Sequence, residues 1–597
     1  MTRQFWRGIV TVAFVGMLIG PLFVRRASLR SESANQASSR AELDLLHRYG
    51  FVLQESSAAA GIEFVHQPPR IDPRLDHIGP QVAAMGASVA VVDFDGDGWL
   101  DLYVTNSSLG SRNRLYRNRQ DGTFADVATV VGLADENVAG TGACMGSVWA
   151  DMDNDGDDDV LIYKWGQSEL FRNQSGARFE RLTNSLPLPA WANIGAATWL
   201  DYDLDGHLDL FLAGYWPDDV RLEHLVHTRV MPESFEYANN GGRKWLLHNS
   251  GDGQFTDVTD QVGIASRRWT LAVVAADFNQ DGFPDLFLSN DYGVSELYLN
   301  NQGHNFREVG KESGIGYAPK SGMNASVGDV LNQGRLAIYE TNISEQGVLI
   351  QGNNLWVPKG SKSVQFHNLA SVMGVELGGW SFGAQFGDLN NDGFLDLYLT
   401  NGYFSGDPAT SYWYDFSQIA GGHSRIISDA ANWPAMRGRS LAGYQNKHVW
   451  INDGAGQFQD VAAFVGVDDR YDGRAVALAD LSNRGVLDVV VANQRGPVLL
   501  YRNQVAVDRH WIEFELKGHS GNRGAVGAQV ELHWGGQRQL QEVVAASGYA
   551  AQNQRRLHFG LGRTAVVDRV IIRWPAGPTQ TWERPEVDQL HYVLEPQ

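Results

Sequence analysis

Asp93–Asp101 reads DFDGDGWLD and runs directly into LYVTN at Leu102–Asn106. Acids at the first, third and fifth places of a tight loop can converge on one cation. Glycine at the sixth place permits the backbone reversal, and the carbonyl of the seventh and the acid of the ninth close the shell. The pattern returns as DMDNDGDDD at Asp151–Asp159, DYDLDGHLD at Asp201–Asp209, DFNQDGFPD at Asp277–Asp285 and DLNNDGFLD at Asp388–Asp396. Two degenerate copies, DVLNQGRLA from Asp329 and DLSNRGVLD at Asp480–Asp488, complete the series. Successive starts lie 58, 50, 76, 52, 59 and 92 residues apart, so a unit of fixed size is interrupted by two long insertions.

The frame around each loop identifies the unit. A small, apolar stretch precedes it, as in GASVAVV (Gly86–Val92), and a strand with period-two alternation follows, as in LFLSN (Leu286–Asn290) or LYLTN (Leu397–Asn401). A further strand comes next (NRLYRN at Asn113–Asn118, SELYLN at Ser295–Asn300, KHVWIN at Lys447–Asn452), then a Gly turn and a last strand such as DGTFADVATVVGL (Asp121–Leu133). Four short antiparallel strands per unit make one propeller blade. The seventh unit stops at LLYRN (Leu499–Asn503) without its last strand, and the missing piece stands at the other end of the chain as FVLQESSAAAGI (Phe51–Ile62). Joining the two removes an open edge and closes a ring. The expected fold is therefore all-β: a seven-bladed β-propeller over residues 48–503, followed by a small β-sandwich-like domain over 504–597 and preceded by a hydrophobic segment.

Calcium is the expected cation, at about five structural sites, because all-oxygen ligation suits a hard ion and calcium tolerates irregular loops better than magnesium. The candidate ligands of the first loop are Asp93, Asp95, Asp97, Trp99 through its carbonyl, and Asp101. Those of the second are Asp151, Asp153, Asp155, Asp157 and Asp159, and of the third Asp201, Asp203, Asp205, His207 and Asp209. The fourth offers Asp277, Asn279, Asp281, Phe283 and Asp285, and the sixth Asp388, Asn390, Asp392, Phe394 and Asp396. An EF-hand shares the opening spacing but needs Glu at the twelfth place. That place holds Val104, Ile162, Leu212, Leu288 and Leu399, all within the following strand. The degenerate loops have lost ligands to Leu331, Gln333 and Ala337 in one, and to Ser482 and Arg484 in the other, so neither is expected to bind calcium. Arg484 reads as a fixed positive charge or a plain surface residue.

Composition narrows the function classes. With 597 residues, 43% hydrophobic and 20% charged, the chain is globular and large enough for more than one domain. A net charge of −21 argues against nucleic-acid binding. A single cysteine, Cys144, excludes an intramolecular disulfide and reads as a small buried hydrophobe. Arg3 and Arg7 precede an apolar run from Gly8 to Val24, and Arg25 and Arg26 follow it. The run spans roughly 25 Å as a helix, the short limit for a membrane. Residues 1–26 thus read as a signal-anchor, or as a signal peptide, with 27–47 as a tether. The body is expected to be exported, periplasmic, secreted or at the cell surface, with a membrane tether through the N-terminal segment as one arrangement.

These loops in this frame resemble the FG-GAP/VCBS repeats of integrin-α-type propellers. The C-terminal run GNRGAVGAQVEL (Gly521–Leu532), SGYAAQN (Ser547–Asn553), LHFGLG (Leu557–Gly562) and IIRWPAG (Ile571–Gly577) looks like an ASPIC/UnbV domain, and the combination is similar to the cartilage acidic protein-like family. The resemblance implies the propeller and its calcium, while the role of the last domain stays open. Read from its own pattern, that segment alternates in WIEFELKG, AQVELHW, QLQEVV, RRLHFGL, DRVIIRW and HYVLE, a small β-domain in which Tyr549, Trp574 and Pro575 are core or turn residues.

Two insertions leave the repeat at the same point, so they belong on one face of the ring. Residues 214–243 contain the helical-looking VRLEHLVHTRVM (Val220–Met231), with His224 and His227 placed either as surface residues or as a pair on one helix face. Residues 402–446 contain Tyr412, Trp413, Tyr414 and Trp433, which either pack the insertion down or stack on a partner. No hydrolase elbow, phosphate loop or His-x-x-x-His pair occurs, and His66 and His77 stand alone. The expectation is a binding or adhesion module for an unknown protein, glycan or envelope partner. The alternative is a secreted enzyme with its site under the two insertions.

Overall fold

A computed structural model describes residues 44–251, 253–360 and 362–597. The expected signal-anchor or signal peptide lies outside them, as does most of the tether, whose last residues belong to a helical turn at 44–49. Among the described residues no helix is long and apolar enough to cross a membrane.

The fold is an all-β propeller with a small β-domain. In the first unit, strands Val89–Val92, Asp101–Val104, Arg114–Asn118 and Phe124–Asp126 pair antiparallel in chain order. Six further four-stranded units follow the same order, and the second and third are fused through Ala192↔Gly166 and Asn193↔Trp165. The last unit is completed from the other end of the chain, Phe51–Glu55 lying antiparallel to Val498–Val505 with Leu53 opposite Asn503.

Every acidic loop joins the first strand of its unit to the second, and its ninth residue opens that second strand: Asp101, Asp159, Asp209, Asp285, Ala337, Asp396 and Asp488. The turns share one backbone path. The fourth residue takes a positive φ, 59° at Asn154, Leu204 and Gln280, and the sixth is always a left-handed Gly, from 66° at Gly485 to 106° at Gly156. Leu204 holds this conformation without the help of a short polar side chain, at a cost of about 1 kcal/mol.

Alternation along the strands has a different meaning from the usual core-and-solvent one. The strand Asp101–Val104 is buried throughout. Leu102 and Val104 pack with Ala477 and Val490 of the last unit, whereas Tyr103 packs with Trp149 and Val160 of the second. Odd and even residues thus serve two different inter-unit cores, and neither face is left to water.

A recurring asparagine ties neighbouring units together. It ends the third strand as Asn118, Asn173, Asn249, Asn300 and Asn452, and stands two residues from the end of Val498–Val505 as Asn503. Its backbone N–H donates to the ninth-position carboxylate of its own loop, as from Asn300 to Asp285 at 2.8 Å. Its side-chain amide donates to the second residue of the preceding loop: Asn173 to Phe94 O, Asn249 to Met152 O, Asn300 to Tyr202 O, Asn452 to Val330 O and Asn503 to Leu389 O. Asn118 donates in the same way to Leu481 O of the last unit, which closes the series. The fifth unit has Pro358 here and makes no such bridge from that position. The Asn300 amide also reaches Pro284 O, so replacing it by Ala strands one buried and one part-buried carbonyl. Asn300→Ala is expected to cost about 3 kcal/mol in urea unfolding, and a loss below about 1 kcal/mol would refute the bridging role.

The C-terminal domain is built from two sheets, one of Leu557–Gly562, His510–Lys517 and Leu590–Leu594, the other of Gln537–Glu542, Gln529–Trp534, Arg569–Arg573 and Thr579–Glu583. Its core gathers Ile512, Phe514, Val530, Phe559, Ile572 and Trp574.

Candidate metal centres and the insertion face

In the first three loops the carboxylates at positions one, three and nine come together. Asp93, Asp95 and Asp101 offer oxygens within 4.8 Å of one another, as do Asp151, Asp153 and Asp159, and Asp201, Asp203 and Asp209. Such clusters can hold a metal ion. Their geometry is fixed by backbone donors. The two oxygens of Asp93 accept from Asp97 N at 3.1 Å and Gly98 N at 2.9 Å, and Asp151 and Asp277 repeat the arrangement. The ninth-position acid accepts from the second residue of the loop, 3.1 Å from Met152 N to Asp159 and from Tyr202 N to Asp209.

One oxygen of each third-position acid is left over. Oδ1 of Asp95, Asp153 and Asp203 is buried without a hydrogen-bond donor, and so is Oδ1 of Asp201. A buried carboxylate oxygen with no donor in the protein fits a bound cation. Burial raises these acids, and neighbouring carboxylates add to the effect: Asp101, Asp159 and Asp201 to about 8, Asp151 to about 7, Asp93 to about 6. The fourth and sixth loops keep the same backbone cradle with an amide at position three, where Asp392 N donates to both Asp388 Oδ1 and Asn390 Oδ1 at 2.9 Å. Asp157, Trp99, His207, Phe283 and Phe394 occupy the seventh position, and each backbone N–H donates to the fifth-position acid at 2.9–3.0 Å.

A basic residue one place before the bridging asparagine leans onto several loops. Arg117 Nε lies 2.6 Å from Asp95 and Arg172 Nε 2.8 Å from Asp153. His248 donates to Asp209 at 3.1 Å, and that hydrogen bond lifts its pKa to about 9. In the last unit the same position is Arg502, whose guanidinium sits 2.6 Å from Asp488 and also reaches Ser482. The fixed positive charge of that degenerate loop therefore comes from Arg502. Arg484 stays nearly half exposed and approaches Asp488 only to 3.8 Å. In the other degenerate loop Asp329 is saturated by backbone donors from Gln333, Gly334 and Leu540.

The two insertions leave the ends of second strands, opposite to the acidic loops, and they meet. Met231 N donates to Ser428 O and Ala430 N to Thr228 O. The connection before the first unit joins them: Asp72 N donates to Leu222 O, Asp72 Oδ2 accepts from Leu225 N, and His77 Nε2 bonds Ala430 O. The helix expected over Val220–Met231 does not form. The stretch is a series of turns, and His224 and His227 are both exposed instead of forming a pair. Short helices occur instead in the second insertion, at Trp413–Ala420 and Ser424–Ile427. There Tyr412, Trp413 and Trp433 are buried as packing residues, and only Tyr414 faces solvent, 73% exposed. His66 is buried against Ser107 Oγ at 3.0 Å, and burial holds its pKa down to about 3. Cys144 is fully buried, as expected of a small hydrophobe.

Family models match both halves of this architecture. The FG-GAP-like repeat model matches residues 93–162, 151–212, 237–288 and 277–339, and the ASPIC and UnbV model matches 518–597. The chain carries FG-GAP-like repeats and an ASPIC and UnbV domain. Human cartilage acidic protein 1 is 28% identical over 185 residues, which is 29% of this chain and 27% of the relative. The mouse protein is 26% identical over 225 residues, 36% of this chain and 34% of its own length. The matched stretch is thus about a third or less of those relatives. Among solved structures, an Agrocybe aegerita lectin recognising non-reducing terminal N-acetylglucosamine aligns with a TM-score of 0.36 and 16% identity, covering 68% of this chain and 85% of its own.

The ASPIC and UnbV domain sits on the acidic-loop face of the FG-GAP repeats. Glu542 accepts from Asp277 N, Arg523 N donates to Asn154 Oδ1 at 2.8 Å, Arg556 donates to Gly98 O at 2.9 Å, and Arg555 pairs with Asp158. From this platform Ser547–Asn553 enters the middle of the ring. Ala551 and Gln552 pair parallel with Val89 and Ala90, adding an innermost strand to the first unit. The Gln552 amide exchanges two bonds with the Trp149 backbone, Gln385 donates to Ser547 O, Gly548 N to Ala325 O, and Leu478 N to Asn553 Oδ1. Inner strands carry unpaired backbone groups toward the axis, and this loop satisfies them in four units, the first, second, fifth and last, while the sixth meets it through the Gln385 side chain. Tyr549 at its tip packs edge-on against Phe382 at 5.3 Å. Tyr549 is therefore a core residue of the propeller, not of its own domain, whereas Trp574 belongs to the domain core.

Proposed function

We propose that the chain is an exported, calcium-stabilised β-propeller that binds a protein or glycan partner on the face carrying the two insertions. The observation that supports calcium most strongly is the set of donorless, buried Oδ1 atoms of Asp95, Asp153 and Asp203 within carboxylate clusters. All-oxygen sets with a backbone carbonyl suit calcium. In this reading the ion neutralises like charges and locks the loop to its second strand, while the chain's own asparagines carry that order to the next unit. FG-GAP-like repeats and the cartilage acidic protein relatives favour an extracellular setting. The loops are staples, since the ASPIC and UnbV domain covers their face, and the opposite face offers long segments on a rigid scaffold, the usual place for recognition.

Metal analysis of the purified chain after dialysis against calcium is expected to return about five ions per chain. Asp93→Ala and Asp151→Ala, which delete the first-position carboxylate that all five loops share, are together expected to remove two of them. A count of one or none, or a count unchanged in the double variant, would remove the assignment.

A further inference from the structure

Beneath the two insertions lies a cavity of about 430 Å³, within the size range of small-ligand sites. Every neighbouring part of the fold contributes to it. Phe235 comes from the first insertion and Phe416 from the second, Asp291 and Tyr292 from the end of a strand in the fourth unit, Trp380 and Phe382 from the sixth, and Gln81 from the connection before the first. Its inner end is closed by the ASPIC and UnbV domain, since Tyr549 packs on Phe382 and its hydroxyl reaches Met85 Sδ, and both of those residues line the cavity.

The walls are aromatic and the ionisable groups are acids. Asp291 is buried at 8% exposure. Its carboxylate accepts from the Tyr215 hydroxyl and from Tyr292 N, each at 2.9 Å, and among the described residues no basic side chain pairs with it. Glu236 adds a second, exposed carboxylate to the lining. Gln81 is 97% buried by its 3% exposure, yet its Oε1 has no donor. Arg474 lies behind Phe382, 3.8 Å from the ring centre, and its donors are committed to carbonyls. The cavity therefore presents a buried carboxylate and a free amide acceptor inside an aromatic enclosure. Ring faces and a desolvated carboxylate both favour positive charge, and an unpaired acceptor favours a ligand that donates.

The geometry points to a binding site for an organic cation, an alkylammonium or guanidinium group with an apolar body, held between Asp291 and the aromatic walls. The inference deepens the proposed binding role of the insertion face and rests on it. The same group is carried by a free amine or by a lysine or arginine side chain of a protein partner, and the test separates them.

Calorimetric titration of the full chain in calcium, with tryptophan fluorescence as a second readout, uses phenethylammonium and its neutral isostere 2-phenylethanol. N-acetyl-lysinamide and N-acetyl-argininamide stand for side chains, and glucose for a neutral, hydroxyl-rich ligand. The ammonium is expected to bind at least tenfold more tightly than the alcohol, and Asp291→Asn to abolish that preference. Asparagine can still accept from the Tyr215 hydroxyl, so that hydrogen bond is kept. The exposed Glu236→Gln is expected to weaken the ammonium two- to fivefold and serves as the check if Asp291→Asn unfolds. Tighter binding of the amides than of phenethylammonium assigns the site to a protein side chain, and the reverse to a free amine. Equal binding of ammonium and alcohol, binding of glucose in preference to both, or an unaffected Glu236→Gln and Asp291→Asn pair overturns the proposal. A failed ion count with intact ammonium binding removes only the calcium reading. A correct ion count with no ammonium binding removes only this one.

Discussion

Chelation is expected to lower the melting temperature of the protein by on the order of 10 °C. At ten times its dissociation constant one site contributes about 1.4 kcal/mol, so about five sites contribute roughly 7 kcal/mol. For a domain of this size each kcal/mol moves the midpoint by about 2 °C or less. The sign follows from the loops. Asp93, Asp95 and Asp101 crowd their oxygens within 4.8 Å. Without a cation they must repel one another or take up protons. The same groups set a pH dependence. Asp101, Asp159 and Asp201 are raised by burial to about 8 in the folded, ion-free chain, against about 4 when unfolded. The folded state then holds more protons than the unfolded one between those values, so stability falls as pH rises through that window. The chelated protein is expected to melt lower at pH 8 than at pH 6, and the calcium-loaded protein to lack this fall. Scanning calorimetry in both buffers at both pH values decides the matter. Identical melting with and without chelator would show that the loops stand without metal.

Replacing Arg474 by Met is expected to destabilise the protein by about 4 kcal/mol. Arg474 is completely buried. Its Nε donates to Ala84 O at 2.8 Å, its Nη1 to Gly402 O at 2.7 Å and Gly473 O at 2.8 Å, and its Nη2 to Tyr403 O at 2.8 Å. One side chain thus joins the connection before the first unit, the base of the second insertion and the last unit. Methionine fills much of the volume but leaves those carbonyls without this donor. Arg474→Lys is expected to recover part of the loss, because one ammonium cannot reproduce a planar fork. Urea unfolding measures the effect, and limited proteolysis locates it, with faster cleavage expected in 402–446 and 66–88. A loss under about 1 kcal/mol with an unchanged cleavage pattern would show that Arg474 is a passenger.

The acidic loops were readable because everything they need lies within nine residues. Position one accepts from positions five and six, position nine from position two, and the sixth Gly supplies the reversal, as Asp151, Asp155, Gly156, Met152 and Asp159 show. Local spacing fixes such a turn before any tertiary contact forms. The closing strand was readable for a related reason: one unit lacked its last strand, and the chain's other end held a spare one that pairs as Phe51↔Val505. The asparagine bridges were visible as a repeated letter at the end of LYRN and LYLN, but the partner carbonyl lies in another unit, so the letter alone carried no role.

The remaining features depend on partners hundreds of residues away. Val220–Met231 has apolar residues at helical spacing, and Leu222, Leu225 and Met231 are indeed buried. Their backbone groups are nevertheless taken by Asp72 and Ser428, which outcompete a helix's own bonds. Arg502 rather than Arg484 neutralises the last loop because strand pairing, not loop position, brings it to Asp488. Tyr549 leaves its own domain because its loop is bonded to the inner strands, Ala551 opposite Val89 and Gly548 N to Ala325 O. Sequence alone was enough for the repeat and its turns, since these are settled by neighbours along the chain. The seating of Ser547–Asn553 inside the ring, the insertion face and the acid-and-aromatic cavity were settled only by folding, since each is assembled from residues that meet nowhere but in the finished ring.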